Sequence, residues 1–151
     1  MPKLIVLFDA DDRAASSLAE SAATGAREVR FTEVEIRSVG QAGAEKALKA
    51  ADDLREYDGV LLAYSGETMP AAFLPVLGEL TSGGQLPNAV FGLTGVDANA
   101  LHVIARTGGI IVSEQAGADV NERARKLGAR MAKVVGWVRH ALGHEAEHHK
   151  H

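Results

Sequence analysis

The 151-residue chain contains no cysteine. That removes disulfides, thiolate catalysis and Cys-ligated zinc or iron–sulfur centres, and it suits a reducing compartment. Aromatic residues make up only 5% of the chain, one Trp, two Tyr and four Phe, so few rings are available to stack on a flat ligand. There is no basic excess: the net charge of -4 at pH 7 supplies no positive field to collect phosphates, which argues against nucleic-acid partners. Long apolar runs are missing too. The stretch Leu4 to Phe8 is too short for a signal-peptide core, and no later run nears the roughly 18 residues of a membrane span. The expectation is a cytoplasmic protein with neither nucleic acid nor membrane as partner.

What is present is an ordinary globular composition. Apolar residues at 46% and charged residues at 24% match the averages of about 45–50% and about 25%, and 151 residues fit one domain of the usual roughly 100–200. We expect that domain over residues 1–143, followed by a His-rich tail over 144–151.

Hydrophobic periodicity orders the chain. Leu4-Ile5-Val6-Leu7-Phe8 is continuously apolar, as a strand buried on both faces is. Ala15, Leu18, Ala19, Ala22 and Ala26 recur at spacings of three and four, which predicts a helix from Ala14 to about Glu28. Phe31 to Val39 alternates, with Val34 and Ile36 against Glu33, Glu35 and Arg37, the pattern of an edge strand with one wet face. A second helix is expected over 44–54, a second continuous strand over Val60–Tyr64, a helix entered at Pro70 and carried to Leu80, a strand over Ala89–Leu93, a short helix over Ala98–Thr107, and a strand over Ile110–Val112. Asp119, three residues before Glu122, resembles a capping box opening a final helix. Along it Val120, Ala124, Leu127, Met131, Val134, Val138 and Ala141 form an apolar stripe. Strands alternating with helices imply an α/β, three-layer domain with a five-stranded parallel sheet. With the alternating strand at an edge, the order is 2-1-3-4-5, and a ligand site falls in the loops after Phe8, Tyr64 and Leu93.

Three stretches carry a resemblance to a known family. Ile5-Val6-Leu7-Phe8 through Ser17-Leu18-Ala19-Glu20 to Val29, then Tyr57-Asp58-Gly59-Val60-Leu61-Leu62, then Ala124-Arg125-Lys126-Leu127-Gly128-Ala129-Arg130-Met131-Ala132 are similar to the flavodoxin-like fold. Within it they resemble the tryptophan-repressor-binding-protein group of FMN-dependent NAD(P)H:quinone oxidoreductases and related FMN reductases. The resemblance implies an FMN-dependent oxidoreductase using NAD(P)H on a quinone or a flavin, assembled as a homodimer or higher homo-oligomer. It places the FMN phosphate at the loop Asp9, Ala10, Asp11, Asp12, Arg13 with Ser16 and Ser17, where Ala10 and Arg13 stand in place of a hydroxyl and a glycine. Ser65, Gly66 and Glu67 would edge the isoalloxazine ring, and Thr94 and Gly95 would close the site. The long insertion that relatives carry after strand four is absent.

The charge of the first loop has its own consequence. One carboxylate about 4 to 5 Å from a phosphate charge costs on the order of 4 kcal/mol at an effective dielectric of about 20. Arg13 offsets this only with Asp11 and Asp12 turned away. The alternative reading is therefore a flavodoxin-fold protein that has lost FMN and acts as a binding or oligomerisation module. Asp9, Asp11 and Asp12 can also be read as oxygen ligands for Mg²⁺ or as an acidic loop capping a helix. A receiver-domain role lacks the phosphoacceptor aspartate after strand three and the lysine after strand five.

Toward the end of the chain, His140, His144 and His148 are spaced to share one helical face, where neutral imidazoles chelate Zn²⁺ or Ni²⁺. A frayed polar tail is the other reading. His102 reads as a surface or partly buried residue. Trp137 and Val138 belong either to the core or to a patch for a dimer partner.

Overall fold

The computed structural model describes residues 1–39, 56–66, 68–73, 89–95, 97–106, 109–113 and 119–149, with the backbone alone for 100, 103 and 144–149. The helix expected over 44–54, Glu67 and most of the segment over 70–80 lie outside these residues.

Five strands, β1 (Lys3–Asp9), β2 (Glu33–Val39), β3 (Gly59–Ala63), β4 (Val90–Leu93) and β5 (Ile110–Val112), form one sheet. All pairings are parallel and the order is β2-β1-β3-β4-β5, as the alternation of the edge strand implied. β1 is buried from Leu4 to Leu7 and β3 along its whole length, while β2 alternates between exposed and half-buried positions at its start. Two burial regimes thus follow from two hydrophobic patterns.

Three α-helices are described: α1 (Arg13–Arg27), α2 (Ala98–Arg106) and α3 (Val120–His149). A short 3-10 turn spans Ala71–Phe73. Successive residues of β1 feed opposite sides of the sheet. Leu4 and Val6 join a core with α1 and α3, whereas Ile5 and Leu7 join one with Tyr64, Met69, Phe73, Phe91 and Ile104 of α2. The stripe expected on α1 is buried throughout.

α1 and α3 approach at backbone distance. A Cβ on Gly25 would run into the Arg125 carbonyl, and one on Gly128 into the Ala22 carbonyl, so each glycine admits the main chain of the other helix. The start of α3 differs from a full capping box. Asp119 accepts from the Asn121 N–H at 3.0 Å, but Glu122 turns to Arg125 at 2.6 Å, and Arg125 also reaches Glu28 at 3.1 Å. That guanidinium holds the Glu122 carboxyl below its ordinary range. Val120, expected on the apolar stripe, is 51% exposed, while the next residue, Asn121, is the one that meets α1. Val138 is half-buried against the core, and Trp137 stands 67% exposed. No helix among the described residues is long and apolar enough to cross a membrane.

Candidate functional site

The three loops singled out in the sequence leave the carboxyl ends of β1, β3 and β4. Because β1 pairs with β3 up to Phe8 opposite Ala63, and β3 with β4 up to Leu62 opposite Leu93, the loops emerge side by side on one edge. This is where open parallel sheets bind ligands.

The first loop is folded onto itself. Asp12 is the N-cap of α1, and its Oδ1 accepts from the N–H groups of Ala14 at 3.0 Å and Ala15 at 3.2 Å. Asp9 Oδ1 accepts from the Asp11 N–H at 3.0 Å. The Ala10 N–H donates to Val39 O, that of Asp12 to Asp9 O, and that of Ser16 to Asp12 O. From Ala10 to Ser16, every backbone N–H except that of Arg13 donates within the chain. A helix N-terminus holds a phosphate through these amides and the positive end of its dipole. Here a carboxylate takes both.

Ser17 is aimed elsewhere. Its hydroxyl donates to Asn121 Oδ1 at 3.2 Å, and Ser21 donates to the same oxygen at 3.1 Å, so both serve the contact between α1 and α3. Asn121 was not singled out in the sequence, since only the helix crossing brings it to Ser17. Ser16 is half-buried in the second turn of α1, and Asp9, Ala10, Asp11 and Arg13 surround the cap at half-buried or exposed positions.

The loops after β3 and β4 are knitted together. The Thr94 hydroxyl donates to the Tyr64 carbonyl at 2.7 Å and accepts from the Tyr64 N–H at 2.8 Å. Asp97 Oδ2, at the entry to α2, accepts from the Met69 N–H at 2.7 Å. Gly95 lies against the Tyr64 ring and the Gly66 carbonyl, where a Cβ would not fit. Gly66 has φ 94°, a left-handed conformation that glycine adopts without steric cost. Ser65, Gly66, Thr94 and Gly95 are therefore brought together, with Ser65 and Gly66 exposed. Glu67 lies outside the described residues.

Beneath this pair of loops Tyr64 is fully buried, and its hydroxyl has no hydrogen-bond partner. Burial, reinforced by the Asp97 charge, pushes its phenol up to about 12. Such an orphan polar atom costs stability. Periodicity marks Tyr64 as a core position and says nothing about its hydroxyl.

FMN fits this edge poorly. The phosphate seat is taken by Asp12, and the condition under which Arg13 could serve a phosphate, Asp12 turned away, is not met. Tyr64, Phe73 and Phe91 are buried, Phe8 at the carboxyl end of β1 is half-buried against the core shared with α1 and α3, and the exposed aromatics among the described residues, Phe31 and Trp137, lie elsewhere. Phe31 precedes β2, and Trp137 lies two residues before Arg139, which pairs at 3.2 Å with Asp58 at the amino end of β3.

The His-rich end of the chain points away from this edge. α3 continues unbroken through His144 and His148 to His149, about 15 Å beyond Arg139 at 1.5 Å per residue. One helix thus carries His140, His144 and His148 at the expected spacing, although the side chains of 144–149 lie outside the described residues. Among the described residues no group of three or more His, Asp or Glu is gathered closely enough to hold a metal, and this includes the acidic first loop. His102 is exposed on α2.

No family model and no curated protein sequence matches the chain. Solved structures do. It is similar to a Streptococcus pneumoniae TIGR4 flavodoxin at 16% identity, over 89% of this chain and 97% of that one, with a TM-score of 0.65. A short-chain flavodoxin associated with a PDU bacterial microcompartment matches at 14% identity over 89% of this chain and 99% of the other, with a TM-score of 0.68. A flavone reductase matches at 15% identity over 92% of this chain, which spans 65% of that protein, with a TM-score of 0.65. At such identities the likeness is one of architecture: the chain has the flavodoxin-like fold.

Proposed function

We propose a flavin-associated redox role in which the flavin is a passing substrate and not a resident FMN. The observation behind this reading is the division of the carboxyl edge. The phosphate-side amides are committed to Asp9, Asp12 and Val39, while the loops of Ser65, Gly66, Thr94 and Gly95 are braced by the Thr94 hydroxyl. A ligand held without a phosphate grip is held weakly, as suits a substrate that must leave. Of the two activities that the resemblance implies, flavin reduction with NAD(P)H is favoured over quinone reduction. The quinone reductases of the tryptophan-repressor-binding-protein type depend on bound FMN, whereas a flavin substrate accepts the hydride of NAD(P)H directly. The chemistry belongs to the two redox rings, and the protein supplies position.

The test is an absorption spectrum of the purified protein, followed by NAD(P)H oxidation with and without added riboflavin. The expected result is colourless protein and oxidation that depends on added flavin. Yellow protein with a flavin band would show a resident cofactor and overturn the passing-substrate reading. Colourless protein with no flavin-dependent oxidation would remove the redox role. The second reading, a cofactor-free binding or oligomerisation module, would then stand, and it is favoured by the same self-capped first loop.

A further inference from the structure

The structure assigns Asp12 a specificity role: its carboxylate occupies the N-terminus of α1 against the terminal phosphate of FMN, so the flavin this chain takes is the unphosphorylated one. This rests on the flavin reading above and names its substrate class. FMN and riboflavin share the ring and ribityl chain and differ only in the terminal phosphate, so discrimination must come from whatever meets that end.

In this chain the meeting point is the N-terminus of α1. Asp12 Oδ1 lies 3.0 and 3.2 Å from the amides of Ala14 and Ala15, as close as a phosphate oxygen would lie. To admit a phosphate the carboxylate must leave both amides, which uncaps the helix. It then remains one side-chain length from the incoming dianion, and like charges at that range repel. Asp9 cannot take over the cap without releasing the Asp11 N–H. The neighbouring Thr94 and Gly66 carry no charge that would select for or against a phosphate. A ligand with a neutral hydroxyl at its end meets none of these penalties.

Asp12→Asn and Asp12→Ser separate charge from capping, because Asn and Ser cap helices about as well as Asp. Ser in addition vacates space. Flavin fluorescence quenching gives the dissociation constants of riboflavin and FMN for wild type and both variants, with circular dichroism confirming the fold. Wild type is expected to bind riboflavin at least about tenfold more tightly than FMN. The ratio should move toward FMN by about tenfold in Asp12→Ser and by less in Asp12→Asn, a tenfold step being about 1.4 kcal/mol. Wild type preferring FMN, or a ratio unchanged in Asp12→Ser, overturns the assignment. If wild type binds neither flavin, the functional reading above fails, and the Asp12 assignment is judged by Asp12→Ser alone. A gain of FMN binding without riboflavin binding upholds exclusion by Asp12, and no gain overturns it.

Discussion

The two faces of the sheet are built by different means. On the side of α1 and α3 the buried residues are aliphatic or small, with Leu18, Ala19, Ala22, Ala23 and Ala26 of α1 set against Ala124, Leu127 and Met131 of α3. Gly25 and Gly128 there let main chain meet main chain. On the other side the space is filled by large rings, Tyr64, Phe73 and Phe91, with Tyr64 and Phe73 tilted at 6.4 Å between centroids. That side carries the orphan hydroxyl and supports the loops of the candidate site. The loops after β3 and β4 thus rest on the ring-rich face and the helix crossing on the other, and each can be perturbed while the other reports.

The largest effect is expected where the helices cross. Gly128→Ala should destabilise the protein by about 2–3 kcal/mol through overpacking against a carbonyl that cannot yield, despite the gain of about 1 kcal/mol in helix propensity. Gly136→Ala, in the same helix with open space around the added methyl, should instead stabilise by up to about 1 kcal/mol. Denaturant midpoints of the two variants settle it, and equal shifts of one sign would show that the approach to α1 does not set the cost at Gly128.

On the other face, Thr94→Val removes a hydroxyl that serves both the N–H and the C=O of Tyr64. A loss of about 2 kcal/mol is expected from leaving those groups unpaired. The flavin affinity of the edge should weaken along with it, whereas Gly136→Ala should leave that affinity unchanged.

The smallest effect runs the other way. Tyr64→Phe deletes the orphan hydroxyl and should stabilise by about 1 kcal/mol at neutral pH. It also sharpens an alkaline signature. The folded-state phenol of Tyr64 is pushed up to about 12 by burial and then by Asp97, above the ordinary 10 of an unfolded chain. Its contribution is therefore complete below pH 10 and is lost as pH climbs toward 12. Tyr57, desolvated and donating to Glu35 at 2.6 Å, is likewise pushed up to about 12. With only two tyrosines in the chain, tyrosinate absorbance should rise near 12. A step near 10 would show one of them to be solvated.

Much of the architecture was legible beforehand. The continuous runs of β1 and β3, the alternation of β2 and the stripe of α1 are local patterns, and each set an element within a residue or two of where it stands. The site was legible only as a list of loops. That Ser17 turns to Asn121, or that Thr94 braces Tyr64, depends on segments far apart in the chain meeting at one angle. The capping signal at Asp119 and Glu122 was half right for a related reason: Arg125, one turn on and pulled close by Glu28, competes for the Glu122 carboxylate.

The order of strands and helices, and with it the edge where a ligand can sit, was determined by the amino-acid sequence alone, because hydrophobic period is set by near neighbours. The Asp12 cap is likewise a contact within three residues, one that the acidic-loop reading had already named. That Ser17 turns to Asn121 was decided only by the tertiary structure, because the two meet only where α1 crosses α3. Gly25 and Gly128 acquired their purpose in the same way, since close approach is a property of two backbones and not of either one.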